Sequence, residues 1–175
     1  MQPLPQALAP WHDFYTLLGG GSATMVGLLF VAVSVGSGAF SSSQRGPTRL
    51  FLSASVVQFV SVVAACTLVL APIGRWEVLG ACVLLCGGFG VAYCALAWRD
   101  IVRDGISRKI DWDDKVWYAV LPAACFLAEA GAGVLLVRDE EFGFVILAAA
   151  VGAQLLVAIH NAWDITIWSV TRRRE

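Results

Sequence analysis

Long stretches almost free of charge constrain this chain more than any other feature of its sequence. Five stretches contain no Asp, Glu, Lys or Arg, or only one: residues 14–44, 50–74, 78–98, 116–137 and 142–171. A helix needs about 20 apolar residues to cross the roughly 30 Å hydrocarbon core of a bilayer, so each stretch is long enough for one crossing. Helices pair every backbone N–H and C=O within the segment, as lipid requires. The pattern therefore predicts an all-α integral membrane protein with five transmembrane helices.

The composition agrees with a single transmembrane domain that covers residues 1–175. Hydrophobic residues make up 58% of the chain and charged residues 14%, whereas soluble domains are about 45–50% apolar and about 25% charged. The net charge of −1 gives no long-range attraction to nucleic acid, so the lipid bilayer is the expected partner. The five predicted spans are residues 14–40, 48–72, 77–98, 115–137 and 142–169. The predicted loop between the third and the fourth span is residues 99–114.

The basic residues predict the orientation of the chain. In the five-span arrangement, ten of the twelve Lys and Arg residues fall on one side, and only Arg75 and Arg138 fall on the other. The ten are Arg45, Arg49, Arg99, Arg103, Arg108, Lys109, Lys115, Arg172, Arg173 and Arg174. Cytoplasmic segments of membrane proteins are enriched in Lys and Arg. This distribution predicts an N-terminus outside the cytoplasm, a C-terminus inside it and a cytoplasmic loop at residues 99–114.

Small residues recur at helical spacing and predict close helix packing. Gly20, Ala23 and Gly27 lie on one stripe of the first span, and Gly131 lies among the alanines of the fourth. Helices in lipid associate where small side chains let two backbones approach each other. The contacts are expected within the bundle, between protomers of a homo-oligomer, or both. The alternative is that a stripe of Gly, Ser and Thr lines a pore.

The region around the first span resembles a known group of proteins. The sequence Trp-His-Asp-Phe at residues 11–14 is followed by three glycines at 19–21 and by Gly-Leu-Leu-Phe-Val-Ala-Val-Ser at 27–34. This pattern is similar to the first helix of small, uncharacterised bacterial multispanning membrane proteins, some of which are labelled modulators of a membrane-bound AAA protease. The resemblance covers residues 1–40 and implies a location in the bacterial inner membrane. It brings no catalytic residue with it.

Glu129 is the clearest candidate for a functional residue. It lies eight residues from the end of the fourth predicted span, which is about 12 Å deep at 1.5 Å per residue. An ionisable residue inside a span costs at least about 2.5–3.5 kcal/mol on insertion scales. Its neighbours on the helix face, Cys125, Ala132 and Gly133, are small, so the carboxyl group is expected to point into the bundle or a subunit interface. It is either a protonated group hydrogen-bonded to another helix or a group that binds a proton or cation.

Further polar residues lie in the second and fifth spans. Gln58 and Gln154 are expected near mid-span, where either amide could hydrogen-bond to the buried glutamate. At 100° per residue, Gln154, His160, Asn161 and Asp164 share one sector of the fifth helix. His160 and Asp164 are i, i+4 neighbours that could form a pair. The sector is either a wet cluster near the cytoplasmic interface or the inner mouth of an ion or proton path.

The sequence contains no motif of a soluble-type enzyme and predicts no catalytic residue, cofactor or metal site. It has no phosphate-binding glycine loop with a Lys, no Gly-x-Ser-x-Gly and no His-Glu-x-x-His. The leading hypothesis is a small oligomeric channel or ion-conducting protein, for protons or monovalent cations, with a pore on the axis of a homo-oligomer. The alternative is a non-transporting membrane subunit or modulator that binds another membrane protein. A third hypothesis is an intramembrane enzyme that acts on lipid through His160 and Asp164.

Overall fold

Each of the five charge-poor stretches forms a long helix. The computed structural model describes residues 3–36, 45–103 and 112–171, and every regular element among them is helical. The helices in chain order are α1 (Leu4–Leu8), α2 (His12–Gly36), α3 (Arg45–Leu70), α4 (Trp76–Arg103), α5 (Trp112–Lys115), α6 (Leu121–Val137) and α7 (Phe142–Thr171). A 3-10 turn at Ala9–Trp11 joins α1 to α2, and a π-helical turn at Val116–Val120 joins α5 to α6.

Four helical stretches among the described residues are long and apolar enough to cross a membrane: Leu4–Ala32, Trp76–Arg103, Trp112–Val137 and Phe142–Asp164. A further apolar stretch, Ser55–Leu70, lies within α3. The described part of the chain is thus all-helical and has the apolar helices of a membrane protein, which confirms the predicted class. The count of five crossings stays a prediction.

The helix ends differ from the predicted spans at both sides of the molecule. The helical structure begins at Leu4, before the predicted start at residue 14, because an apolar N-terminal segment folds as α1 and buries Leu4 in the core. The predicted loop at 99–114 is shorter at each end: α4 continues to Arg103, since residues 99–103 contain no Gly or Pro, and α5 begins at Trp112. Residues 37–40 of the first predicted span and 104–111 of the loop lie outside the described residues.

Four of the long helices form a ring, and α2 lies outside it. α3 packs against α4 and α7, and α6 packs against the same two helices, so α3 and α6 face each other across the middle. α2 packs against α3 and α7, along the seam between them. Because helices that meet diagonally do so only through their side chains, any group shared by α3 and α6 lies in the interior of the ring.

Contacts near the helix ends fix the direction of each helix. Tyr15, near the start of α2, donates a hydrogen bond to the Phe144 carbonyl oxygen, near the start of α7, at 3.1 Å. The ring of Trp76, at the start of α4, packs against the Phe144 ring. α2, α4 and α7 therefore run one way, and α3 and α6 run the other way through short links. We call the end of the bundle that contains Trp76 the Trp76 end, and the opposite end, which contains Trp117, the Trp117 end.

A tight turn sets the register of α6 against α7. The Glu140 N–H donates to the Leu135 carbonyl oxygen at 3.0 Å, and the Asp139 N–H donates to the Leu136 carbonyl oxygen at 3.1 Å. This pair of bonds is the Schellman motif, which needs a left-handed residue after the helix. Asp139 fills that position with φ 60°, a conformation that Asp tolerates better than most residues with a side chain. Residues equally far from the turn on α6 and α7 therefore lie at the same depth.

Glycines let the backbones of α4 and α6 touch. A methyl group at Gly87 would lie 2.8 Å from the Ala130 Cα and 2.9 Å from the Phe126 carbonyl oxygen. A methyl group at Gly133 would lie 2.7 Å from the Leu84 Cα. These separations are too short for carbon atoms, so both positions need glycine for the observed approach. Such contact replaces the hydrophobic effect as the force that joins helices in lipid.

The four small residues predicted to pack make no close helix contact among the described residues. Gly20, Ala23, Gly27 and Gly131 are all exposed, and a methyl group on any of the three glycines would meet no described atom within 4 Å. α2 lies at the edge of the ring and covers α3 and α7 with its other side. Gly131 is two residues from Gly133 and so lies on the far side of α6 from α4. Packing of these residues between protomers stays a prediction.

Gly87→Ala is expected to destabilise the α4–α6 contact, because the added methyl group must displace the α6 backbone. The free energy of unfolding should fall by about 1–3 kcal/mol, the usual cost of overpacking a tight interior. Gly88→Ala is the matched control, since a methyl group there meets no atom within 4 Å. Unfolding in mixed detergent and SDS micelles measures both variants. Equal stability of the two would show that α4 and α6 do not approach as described.

Candidate functional site

Polar side chains are buried inside the ring of helices. Gln58, Glu129, Gln154 and Asn161 are each no more than 2% exposed, although the helices that carry them are largely apolar. We call these four residues the polar column. They come from three helices, α3, α6 and α7, whose inner faces meet in the bundle.

Glu129 lies in the middle of the ring. Its side chain is fully buried, and its Oε2 accepts a hydrogen bond from the Ser61 hydroxyl of α3 at 3.4 Å. Since α3 and α6 are diagonal partners, this bond crosses the interior of the ring. The structure therefore places the carboxyl group inside a single chain, on the side where its small neighbours on α6 leave room for it. Sequence reasoning missed Ser61, although it lies one helical turn after Gln58 on the same face of α3.

The two glutamines do not make the predicted hydrogen bond to Glu129. Among the described residues, Gln58 Oε1 and both amide atoms of Gln154 have no hydrogen-bond partner. Gln58 lies twelve residues before Leu70, and Gln154 lies twelve residues after Phe142, so both are about 18 Å from the Trp76 end. Glu129 lies about 12 Å from that end. The extra depth of the two amides separates them from the carboxyl group along the bundle axis.

A π turn provides a hydrogen-bond acceptor for Asn161. The Leu121 N–H bonds to the Val116 carbonyl oxygen, five residues back, and Pro122 has no N–H to donate. The Trp117 carbonyl oxygen is thus left without a donor from its own helix, and Asn161 Nδ2 donates to it at 3.1 Å. Such wide turns often occur at functional sites. This contact joins α6 to α7 near the Trp117 end.

The predicted pair of His160 and Asp164 does not form. The His160 ring instead lies parallel to the Trp117 indole, with ring centres 3.7 Å apart. The Asp164 carboxylate accepts a hydrogen bond from the Tyr118 hydroxyl at 3.2 Å, and the same hydroxyl is 3.2 Å from the Asn161 carbonyl oxygen. His160 and Asp164 are exposed, so the predicted polar sector divides into a buried part and an exposed part. Sequence reasoning missed Tyr118, which resembles an ordinary interfacial aromatic residue.

Unpartnered oxygen atoms define the chemistry of the polar column. Among the described residues, Gln58 Oε1, Glu129 Oε1, Gln154 Oε1 and Asn161 Oδ1 are buried without a hydrogen-bond partner. Buried polar groups in native proteins are nearly always paired, so each exception needs an explanation. Carbonyl and carboxyl oxygens are the ligands that replace the hydration shell of alkali cations in channels. The described residues contain no group of three His, Cys, Asp or Glu side chains placed to hold a metal ion.

Comparisons with protein-family models, with curated proteins and with solved structures find no match to this chain. The resemblance of residues 1–40 to small bacterial membrane proteins stays a prediction, and so does the location that it implies. The function is therefore inferred from the side chains and their surroundings.

Gln154→Leu is expected to leave the fold intact and to raise the free energy of unfolding. An apolar side chain of similar size removes two unpartnered polar atoms, each of which costs about 1–3 kcal/mol when buried. Asn161→Leu is the matched control on the same helix, because it removes the bond to Trp117 and leaves that carbonyl oxygen unpaired. Its free energy of unfolding should fall by a similar amount. A loss of stability in Gln154→Leu would show that this amide is a structural hydrogen-bonding group.

Proposed function

We propose that the chain crosses the bacterial inner membrane five times, with the N-terminus outside the cytoplasm and the C-terminus inside. The Trp117 end is the cytoplasmic end in this proposal, because Arg99, Arg103 and Lys115 lie there. The Trp76 end carries most of its charge as acidic residues, Glu77, Asp139, Glu140 and Glu141. In this proposal α3 also crosses the membrane, which brings the number of crossings from four to five. Its uncharged stretch in the sequence, residues 50–74, is longer than the apolar part at Ser55–Leu70.

Cysteine labelling tests this topology. In intact spheroplasts, Gly74→Cys should react with a maleimide that cannot cross membranes, because residue 74 lies outside. Ser42→Cys and Glu175→Cys should react only after lysis. The unaltered chain gives the background of the native cysteines, which lie within the spans. Labelling of both Ser42→Cys and Gly74→Cys from outside would show that α3 does not cross.

We further propose that the protein conducts protons or monovalent cations, and that Glu129 is the residue that binds them. The observation that carries this proposal is the fully buried carboxyl group with one oxygen unpartnered, accompanied by amide oxygens that are also unpartnered. An ionisable residue in a span is costly and commonly marks an ion or proton pathway. Ser61 leaves one carboxyl oxygen available, so Glu129 can hold a proton or coordinate a cation without losing its structural bond.

The proposed path runs inside each chain. The polar column lies within the ring of α3, α4, α6 and α7, and Asp164 and Tyr118 extend it to the Trp117 end. This differs from the predicted pore on the axis of an oligomer. The exposed stripe of Gly20, Ala23 and Gly27 on α2 supports a homo-oligomer that packs through α2 while each chain keeps its own path.

Glu129→Gln should reduce ion flux through proteoliposomes to the level of protein-free vesicles. The amide is nearly the same size as the carboxyl group and still accepts the Ser61 hydrogen bond, so the fold should be retained, but it cannot take up a proton or carry a charge. Glu77→Gln is the control, because Glu77 is exposed at the Trp76 end. A pH-sensitive dye and a potassium diffusion potential measure the flux.

Absence of flux in the wild type under every proton and cation gradient would contradict this function. A stable complex with a second membrane protein, unaffected by Glu129→Gln, would then favour the non-transporting subunit or modulator. The exposed glycine stripe of α2 would be the surface for such a partner.

A further inference from the structure

A small cavity lies between α3, α4 and the π turn that precedes α6. Its volume is about 40 Å³. The lining residues that matter here are Gln58 of α3, Tyr93, Cys94 and Ala97 of α4, and Tyr118 of the π turn. Trp98 also lines the cavity and is 38% exposed, so one wall of the cavity is a residue at the surface of the bundle, on the side of the Trp117 end.

Gln58 gives this mostly apolar cavity a buried polar group that can bind water. Apolar cavities stay dry, whereas a cavity with two or more polar partners holds ordered water at about 10–15 Å³ per molecule, which gives this one room for about three. Gln58 is 2% exposed, lines the cavity, and has its Oε1 unpartnered among the described residues. Tyr93 and Tyr118 line the same cavity. A water molecule there would give Gln58 the hydrogen bond that the described protein groups do not provide.

The position of the cavity makes it a link between two polar groups. At one side, the Tyr118 hydroxyl donates to the exposed Asp164 carboxylate. At the other side, Gln58 precedes Ser61 by three residues on α3, and Ser61 bonds to Glu129. Without the cavity, apolar residues such as Pro122 and Phe126 of α6 would separate Tyr118 from Gln58.

We propose that this cavity is a water-filled vestibule that leads from the end of the bundle where Asp164 lies to the Gln58 amide, about one helical turn from the Glu129 carboxyl group. It takes water, hydronium or a small monovalent cation, which enters past Trp98 and Tyr118 and reaches the Gln58 amide. This inference rests on the proposed function only in taking Glu129 as the ion-binding residue. The presence of water in the cavity is independent of whether the protein conducts.

Cys94 reports on the cavity directly. Silver ion reacts with thiols and does not dissolve in hydrocarbon, so its reaction with Cys94 shows contact with water. Wild-type proteoliposomes are treated with silver nitrate in chloride-free buffer and then denatured, and the thiols that remain are alkylated and located by mass spectrometry. Cys94 should be protected from alkylation. Cys86 lines an apolar groove between α3 and α4 and should not be protected.

A cavity-filling substitution gives the matched comparison. Ala97→Leu places its added carbon atoms in the cavity, so the rate of silver reaction at Cys94 should fall to less than about a tenth. Ala95→Leu adds the same side chain at an exposed position of α4 and should leave the rate unchanged. Loss of the silver-protected thiol in Cys94→Ala shows that the measured reaction occurs at Cys94.

The results separate the vestibule from the conduction hypothesis. An unreactive Cys94 in the wild type overturns the vestibule, even if flux is present and depends on Glu129. A reactive Cys94 that Ala97→Leu protects supports the vestibule, even if no flux is found. Reaction that is equally fast in Ala97→Leu and Ala95→Leu overturns it as well. Should Ala97→Leu fail to fold, the wild-type reaction with silver still decides the question.

Discussion

The contact between the α4 and α6 backbones determines where the polar groups of this protein lie. α6 turns Ala130 and Gly133 toward α4, and the absence of a side chain at Gly87 lets the two helices meet. Glu129 is rotated by about 100° from Ala130 and by about 40° from Gly133, so it lies at the edge of the contact that borders the interior of the ring. A larger residue at Gly87 would push the helices apart, and the carboxyl group would lose the burial that distinguishes it.

The buried amides of Gln58 and Gln154 lack hydrogen-bond partners among the described residues, whereas the α4–α6 interface is closely packed. An unpaired amide in an apolar interior is costly, and leucine, which has nearly the size of glutamine, does not carry that cost. Gln154 keeps both amide atoms without a partner among the described residues, and Gln58 keeps one. Their oxygens lie about one turn deeper than Glu129, toward the Trp117 end. In the proposed function, these oxygens form the path of the cation through the bundle.

The sequence predicts the helices well and the contacts between them less well. Charge placement limits where a span can lie, so the position of each long helix in the chain follows from local composition, although the exact helix ends do not. The partner of Glu129 does not follow, because Ser61 lies on a helix that is diagonal in space and distant in the chain. Glycine spacing is similarly ambiguous: Gly131 and Gly133 look alike in the sequence, but only Gly133 faces α4. Which face of a helix turns inward depends on all of its neighbours together.

The π turn at Val116–Val120 shows how one local irregularity links the exposed end to the interior. Proline at position 122 removes a donor, and the wide turn shifts the Leu121 N–H to Val116, so the Trp117 carbonyl oxygen becomes available to Asn161. That bond holds α6 against α7 at the depth where Tyr118 can reach Asp164. The added residue of the π turn also rotates the residues that precede the turn relative to α6. Tyr118 can therefore line the cavity beside Gln58 while the Tyr118 hydroxyl bonds to α7. In a regular α-helix through these residues, the Trp117 carbonyl oxygen would accept the Leu121 N–H instead of the Asn161 amide. Tyr118 could then not both line the cavity and bond to Asp164.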